Sequence, residues 1–139
     1  KQLGAEHVMV VHSKDGLDEI SLASSTYVAE LKNGEITEWM ITPEDVDIES
    51  KTLTGLIVDG SAESLALIKD ALGKKKSAIG EKAANMLALN AGAGIYVSGL
   101  TNDYKQGVAL AHDIIYGGQA LEKMSVLSEF TKTLKEYEA

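Results

Sequence analysis

Cysteine is absent from the 139 residues. No disulfide framework and no thiolate chemistry is available, and a reducing cytoplasm is compatible with that. Basic residues are outnumbered: 13 Lys and Arg face 21 Asp and Glu, giving a formal charge of −8. A general nucleic-acid binder needs a basic stripe to neutralise phosphates, and none is present. The one basic run, Lys74-Lys75-Lys76, follows Gly73 and reads as charge complementing a helix C-terminus. Long apolar runs are missing too. No stretch approaches the ~20 residues of a membrane span, and none reads as a secretory signal. Common catalytic signatures are equally scarce. There is no Gly-x-Ser-x-Gly elbow and no Walker-type phosphate loop. Gly92-x-Gly94 is no dinucleotide fingerprint, because the third glycine is lacking and the pair falls inside a helical pattern.

What is present suffices for a folded core: 45% of the residues are apolar. The length fits a single unit over residues 1–139, or a piece of a larger protein, since the chain begins with Lys1 rather than Met. His7 to His12 reads as a strand. Its middle is apolar on both faces, which predicts a central, parallel position. Thr26 to Ile41 reads as a β-hairpin turning at Asn33-Gly34, which pairs Lys32 with Glu35, Leu31 with Ile36 and Val28 with Trp39. Trp39 is then a cross-strand packing residue. Thr42-Pro43-Glu44 starts a short turn of helix.

Four helices complete the pattern. The first is capped by Ser61, closed by Gly73, and carries Leu65, Ile68 and Leu72 on one face. The second runs from about Gly80 to Ser98, with Ala83, Ala84, Leu87, Ala88, Ala91 and Ile95 inward. Its Gly92 and Gly94 imply a closely packed neighbour, since each costs roughly 1 kcal/mol of helix propensity. The third is capped by Asp103 with Gln106 as partner, and its stripe is Tyr104, Val108, Ala111 and Ile115. After Gly117-Gly118 the fourth runs from Gln119 to near Glu136, with Ala120, Met124, Leu127 and Leu134 at helical spacing.

Chemistry concentrates between the first strand and the hairpin, in Ser13-Lys14-Asp15-Gly16-Leu17-Asp18-Glu19-Ile20-Ser21. Asp15-Gly16 supplies a turn. Asp18 and Glu19 are adjacent carboxylates on a segment without period. Such a pair is ordinarily solvated surface. On an irregular loop both can also turn toward one hard cation. Of the three histidines, only His12 lies near this loop, and a strand-end histidine more often bonds locally than binds metal. His7 sits at a strand start and His112 on a helix surface.

The run Val10-Val11-His12-x-x-Asp15-Gly16-Leu17-Asp18-Glu19-Ile20-Ser21 resembles the acidic metal-site motif of the anthranilate phosphoribosyltransferase family. Val28 to Glu38, Ile41 to Asp45, Leu89 to Gly99, Gly107 to Ala111 and Ala120 to Lys123 fit the same family in the same order. The resemblance covers nearly all of this chain and only the C-terminal part of a typical member. It implies a phosphoribosyltransferase/nucleoside-phosphorylase-like α/β domain. It also implies a glycosyltransferase of tryptophan biosynthesis, in the cytoplasm, that joins anthranilate to phosphoribosyl pyrophosphate. Asp18 and Glu19 would hold Mg²⁺, and no catalytic side chain or further cofactor residue is carried over. Ser13 stands where the family usually has glycine, which would stiffen the strand exit and leave the metal ligands in place.

The family's Gly-rich pyrophosphate loop, its Lys-His-Gly-Asn-Arg stretch, its anthranilate-binding arginine and its N-terminal helical dimerisation region have no counterpart in these residues. The expectation is a homodimeric parent enzyme and a 139-residue piece that is inactive alone and self-associates. A non-catalytic paralogue, or a folding or interaction module of the same fold, is the alternative.

Overall fold

The computed structural model describes the backbone of residues 1–137 and the side chains of residues 1–134. Three strands, β1 (His7–Ser13), β2 (Thr26–Lys32) and β3 (Glu35–Ile41), form one sheet in sequence order. A 3₁₀ turn, Pro43–Val46, follows. Then come four helices: α1 (Ser61–Leu72), α2 (Ala78–Val97), α3 (Tyr104–Gly117) and α4 (Gln119–Tyr137). The fold is α/β, a strand plus a hairpin packed against helices.

The hairpin has the expected register, with Lys32 opposite Glu35, Leu31 opposite Ile36 and Val28 opposite Trp39. Asn33 and Gly34 both take positive φ, 53° and 78°, as a type I′ turn demands. β1 departs from expectation. It pairs with β2 antiparallel and forms an edge among the described residues. Its inner positions, Met9 and Val11, pack on the core. Its outer position Val10 is 65% exposed and shares a sheet face with the exposed Tyr27, Ile36 and Met40. The doubly apolar pattern therefore reflects a sheet that is apolar on both sides, not a central parallel strand.

The inner sheet face also holds an ionisable group the strand pattern concealed. Glu30 is 8% exposed. Its Oε1 accepts from the Tyr96 hydroxyl at 2.7 Å and lies 2.8 Å from His7 Nε2. The Tyr96 oxygen accepts in turn from Lys32 Nζ at 2.9 Å. The Trp39 N–H lies near enough to act on the same carboxylate but makes no hydrogen bond of ordinary geometry. Burial pushes the Glu30 carboxyl up. The Tyr96 and His7 hydrogen bonds and the His7 charge together outweigh it and hold it below the usual glutamate range.

A depressed carboxyl contributes stability above its unfolded value, lost as pH falls through the folded one. Tyr96→Phe in the full-length protein is thus expected to lose about 1–3 kcal/mol near neutral pH. The loss should shrink in acid, where Glu30 is neutral in both proteins. Urea unfolding followed from pH 7 downward, to below the depressed Glu30 value, checks this; a loss that stays the same across that whole range would show that the hydroxyl does not stabilise an ionised Glu30.

Around the sheet, α2 and α3 make the helical core. Tyr104, Val108, Ala111 and Ile115 are all buried, as their spacing predicts. Asp103 Oδ1 caps α3 by accepting from Gln106 N at 2.8 Å, while Gln106 Oε1 reaches back to Asn102 N at 3.3 Å. On α2 the inward side is Ala83, Ala84, Ala88, Leu89, Gly92 and Tyr96; Leu87 and Ala91 face outward and Ile95 is half-buried. Gly92 does meet a close neighbour, but Gly94 has none within 4 Å of where a Cβ would stand.

In α1 the N-cap is Gly60, not Ser61, and Gly73 leaves the helix extended at φ −69°. Glu63 Oε2 accepts from Asp59 N at 3.0 Å, which satisfies a donor ahead of the helix. The inward side of α1 is Ser64, Leu67, Ala71 and Leu72, so of the expected face Leu72 is buried while Leu65 and Ile68 stay exposed. A serine on that side hid it from apolar periodicity. In α4, Ala120 and Met124 pack against the core, whereas Leu127 and Leu134 are exposed.

Candidate metal-binding loop

The acidic segment leaves β1 at Ser13 and is closed on itself before it reaches Asp18. Ser13 N donates to Leu17 O at 3.0 Å, Gly16 N to Ser13 O at 3.1 Å, and Lys14 N to Ser25 O at 2.9 Å. Gly16 has φ +93°, a conformation that favours glycine. Ser13, Ser21 and Thr26 are completely buried beneath the turn. The Asp15 carboxylate accepts from both serine hydroxyls, with Ser21 Oγ at 2.5 Å. Ser13 Oγ also accepts from Leu17 N at 3.2 Å, and Ser21 N donates to Thr26 Oγ1 at 3.2 Å. Desolvation pushes the Asp15 carboxyl up; the hydrogen bonds from Ser13, Ser21 and the backbone outweigh it and hold it below the ordinary aspartate range. Asp15 therefore shapes the loop as an anion, and Ser13 is one of the two hydroxyls that fix it.

Beyond Asp18-Glu19 the chain is fixed again. The Ile20 side chain is 1% exposed in the core. Its backbone N–H donates to Asn90 Oδ1 and its carbonyl accepts from Asn90 Nδ2, both at 2.9 Å. Asp18 and Glu19 are thus exposed carboxylates between two anchored points. Both line the rim of a cavity of about 430 Å³ with apolar walls that include Leu53, Leu56, Leu67 and Met86.

The fold brings together Asp18 and Glu19 and leaves the other candidates apart. His12 is exposed at the strand end. His7 serves Glu30, and His112 stacks on Tyr116 at 4.2 Å between ring centroids. Lys76 Nζ donates to the Gly73 carbonyl, so part of the basic run caps a helix end. Among the described residues no group of three or more His, Cys, Asp or Glu side chains could hold a metal ion. Two hard carboxylates on an anchored loop fit Mg²⁺ in the manner typical of that ion, which takes one or two protein carboxylates and keeps its other positions for water and substrate phosphate.

Against known proteins, the profile described as "Glycosyl transferase family, a/b domain" matches residues 1–121. The chain belongs to this family. It is 83% identical over 137 residues to the anthranilate phosphoribosyltransferase of Acinetobacter baylyi, a match spanning 99% of this chain and 39% of that protein. Among solved structures, the anthranilate phosphoribosyltransferase from Thermus thermophilus matches with a TM-score of 0.73 at 35% identity, over 86% of this chain and 34% of that one. The Saccharomyces cerevisiae enzyme in complex with PRPP and Mg matches with a TM-score of 0.71 over 86% of this chain and 33% of its own. At 20% identity that likeness shows the fold alone. The chain thus spans about two fifths of the length of the curated relatives it matches.

In this glycosyl transferase domain the sequence places Asp18 and Glu19 on a loop, as the structure does, whereas the residues that fix the loop backbone were not all visible. Ser21 could be noted only as a loop hydroxyl. Asn90 sits 70 residues from its partner, inside a helix of apolar pattern. The one available signal is that an asparagine is a poor helix former and needs a reason to be there.

Proposed function

We propose that the chain is the magnesium-loop part of an anthranilate phosphoribosyltransferase, acting in tryptophan biosynthesis. The observation that carries this is the 83% identity to a protein of that name across 99% of the chain. The reaction joins the amine nitrogen of anthranilate to C1 of phosphoribosyl pyrophosphate. The C1–O bond breaks, pyrophosphate departs and the amine gives up a proton. Such a displacement needs positioning and charge stabilisation rather than an enzyme nucleophile, consistent with a chain that has no cysteine.

Asp18 and Glu19 are the residues that would hold Mg²⁺. When bound, the ion would neutralise charge developing on the departing pyrophosphate. The chain's own contribution is to hold the exposed Asp18 and Glu19 in the lining of one cavity. The yeast structure in complex with PRPP and Mg is in keeping with that reading. Regions of the longer protein would supply the pyrophosphate loop, the anthranilate contacts and the homodimer interface, so the chain alone is expected to be inactive. Its open β1 edge and exposed apolar sheet face favour self-association of the isolated piece. No described helix is long and apolar enough to cross a membrane, and the cytoplasm is the proposed compartment.

The test is anthranilate consumption with phosphoribosyl pyrophosphate and magnesium, run on the full-length protein and on this chain. Activity in the former only is the expected result, with sedimentation showing a dimeric parent. A full-length protein that leaves anthranilate untouched would move the assignment to a paralogue or interaction module of the same fold.

A further inference from the structure

We infer that Asn90 is a positioning residue for the Asp18–Glu19 pair, acting through the backbone of Ile20; the inference rests on the magnesium reading above. One carboxamide meets both polar groups of one residue, the Ile20 N–H and the Ile20 carbonyl, each at 2.9 Å. That is the double exchange of a hydrogen-bonded pair of strand residues, made here by a side chain of α2. The remaining amide proton goes to Met86 O at 3.0 Å, one turn back on the same helix, so the carboxamide cannot rotate without losing a bond.

Asp18 and Glu19 have no comparable hold of their own. Among the described residues neither carboxylate accepts a hydrogen bond from another side chain. Their placement is inherited from the backbone at either side. On the far side it comes from the turn that Asp15, Ser13 and Ser21 close. On the near side it comes from Ile20, one residue after Glu19, where Asn90 fixes the backbone and the core fixes the side chain. Truncating Asn90 therefore loosens the backbone of the loop and leaves its apolar anchor. Partners that orient metal ligands in this way typically contribute 10- to 100-fold in affinity. With the Ile20 side chain still seated, the lower end applies.

The experiment uses the full-length protein with Asn90→Ala, Ser77→Ala and Asp18→Ala, assayed across magnesium concentrations, with hydrogen exchange read at the Ile20 amide. Ser77 caps the same helix by accepting from Gly80 N at 3.0 Å and does not touch the loop. Asn90→Ala is expected to raise the half-saturating magnesium concentration about 10-fold, to keep the rate at saturating magnesium within about twofold, and to speed exchange at Ile20. Ser77→Ala should leave the magnesium requirement where it was. Asn90→Ser takes the place of Asn90→Ala, with the same expectation, where the alanine protein does not fold. An unshifted Asn90→Ala beside a shifted Asp18→Ala overturns this inference alone, as does an equal shift in Asn90→Ala and Ser77→Ala. An Asp18→Ala protein with an unchanged requirement overturns the magnesium reading and this inference with it.

Discussion

The full-length protein carrying Asp18→Ala and Glu19→Ala together is expected to turn over anthranilate at least about 100-fold more slowly than its parent, the scale on which fixed electrostatic partners of a reacting group contribute. Its unfolding midpoint should stay where it was. Both side chains are exposed, and neither joins the hydrogen bonds that close the loop, so the fold has little to lose. The two carboxylates should also act as a unit. If they share one ion, removing the first already empties the site, and the second substitution adds less than its own single effect. The magnesium dependence is the decisive readout: each single variant should need more magnesium for the same rate. A double variant as active as the parent at every magnesium concentration would remove these residues from the site.

Asp15 makes a useful contrast, because it sits in the same acidic run and has another task. Its oxygens are engaged by Ser13 and Ser21, and an anion already held by two hydroxyls is a poor candidate for a metal. Sequence alone distinguishes the two roles only weakly. Three acids within five residues look alike until the backbone shows which are turned inward.

The same division runs through the fold. Elements specified by neighbouring residues were legible. Asn33-Gly34 demands a tight turn, and a tight turn fixes the register of both its strands. Asp103 and the stripe through Tyr104, Val108, Ala111 and Ile115 define α3 from its cap to its buried face. What failed needed partners far along the chain. The apolar residues of β1 cannot say whether a neighbouring strand runs with or against them. Leu65 and Ile68 have the spacing of a buried stripe with Leu72, yet the helix buries Ala71 and Leu72 and half-buries Ser64 and Leu67 instead. Nothing near Glu30 in the sequence gives it a partner; Tyr96, 66 residues away, places a hydroxyl on it. Asn90 is the sharpest instance, since the residue it exchanges two hydrogen bonds with lies 70 positions earlier in the chain.

Gly92 and Gly94 carry this point to a measurable opposite. A Cβ on Gly92 would stand 2.6 Å from the Cα and backbone nitrogen of Val108. A Cβ on Gly107, across the same contact, would stand 2.3 Å from the Gly92 carbonyl oxygen. These are backbone atoms of two packed helices, so no side chain can rotate aside, and α2 and α3 would have to separate. Overpacking of this kind costs typically about 1–3 kcal/mol, occasionally more, and backbone against backbone belongs at the top of that range. Alanine returns about 1 kcal/mol of helix propensity. Gly92→Ala and Gly107→Ala are therefore each expected to destabilise the full-length protein by about 2 kcal/mol net. Gly94 lies on the same helix with nothing within 4 Å of its missing Cβ. Gly94→Ala gains the propensity without the clash and should stabilise by up to about 1 kcal/mol. One substitution two residues apart thus changes sign, which denaturant unfolding of the three variants can read directly. Loss of the same size at 92 and 94 would mean that the helix contact is not where the strain falls. Because α2 also carries Asn90 and Tyr96, any separation forced at Gly92 should reach the acidic loop as well, so the magnesium requirement of Gly92→Ala should rise while that of Gly94→Ala stays at the parent value.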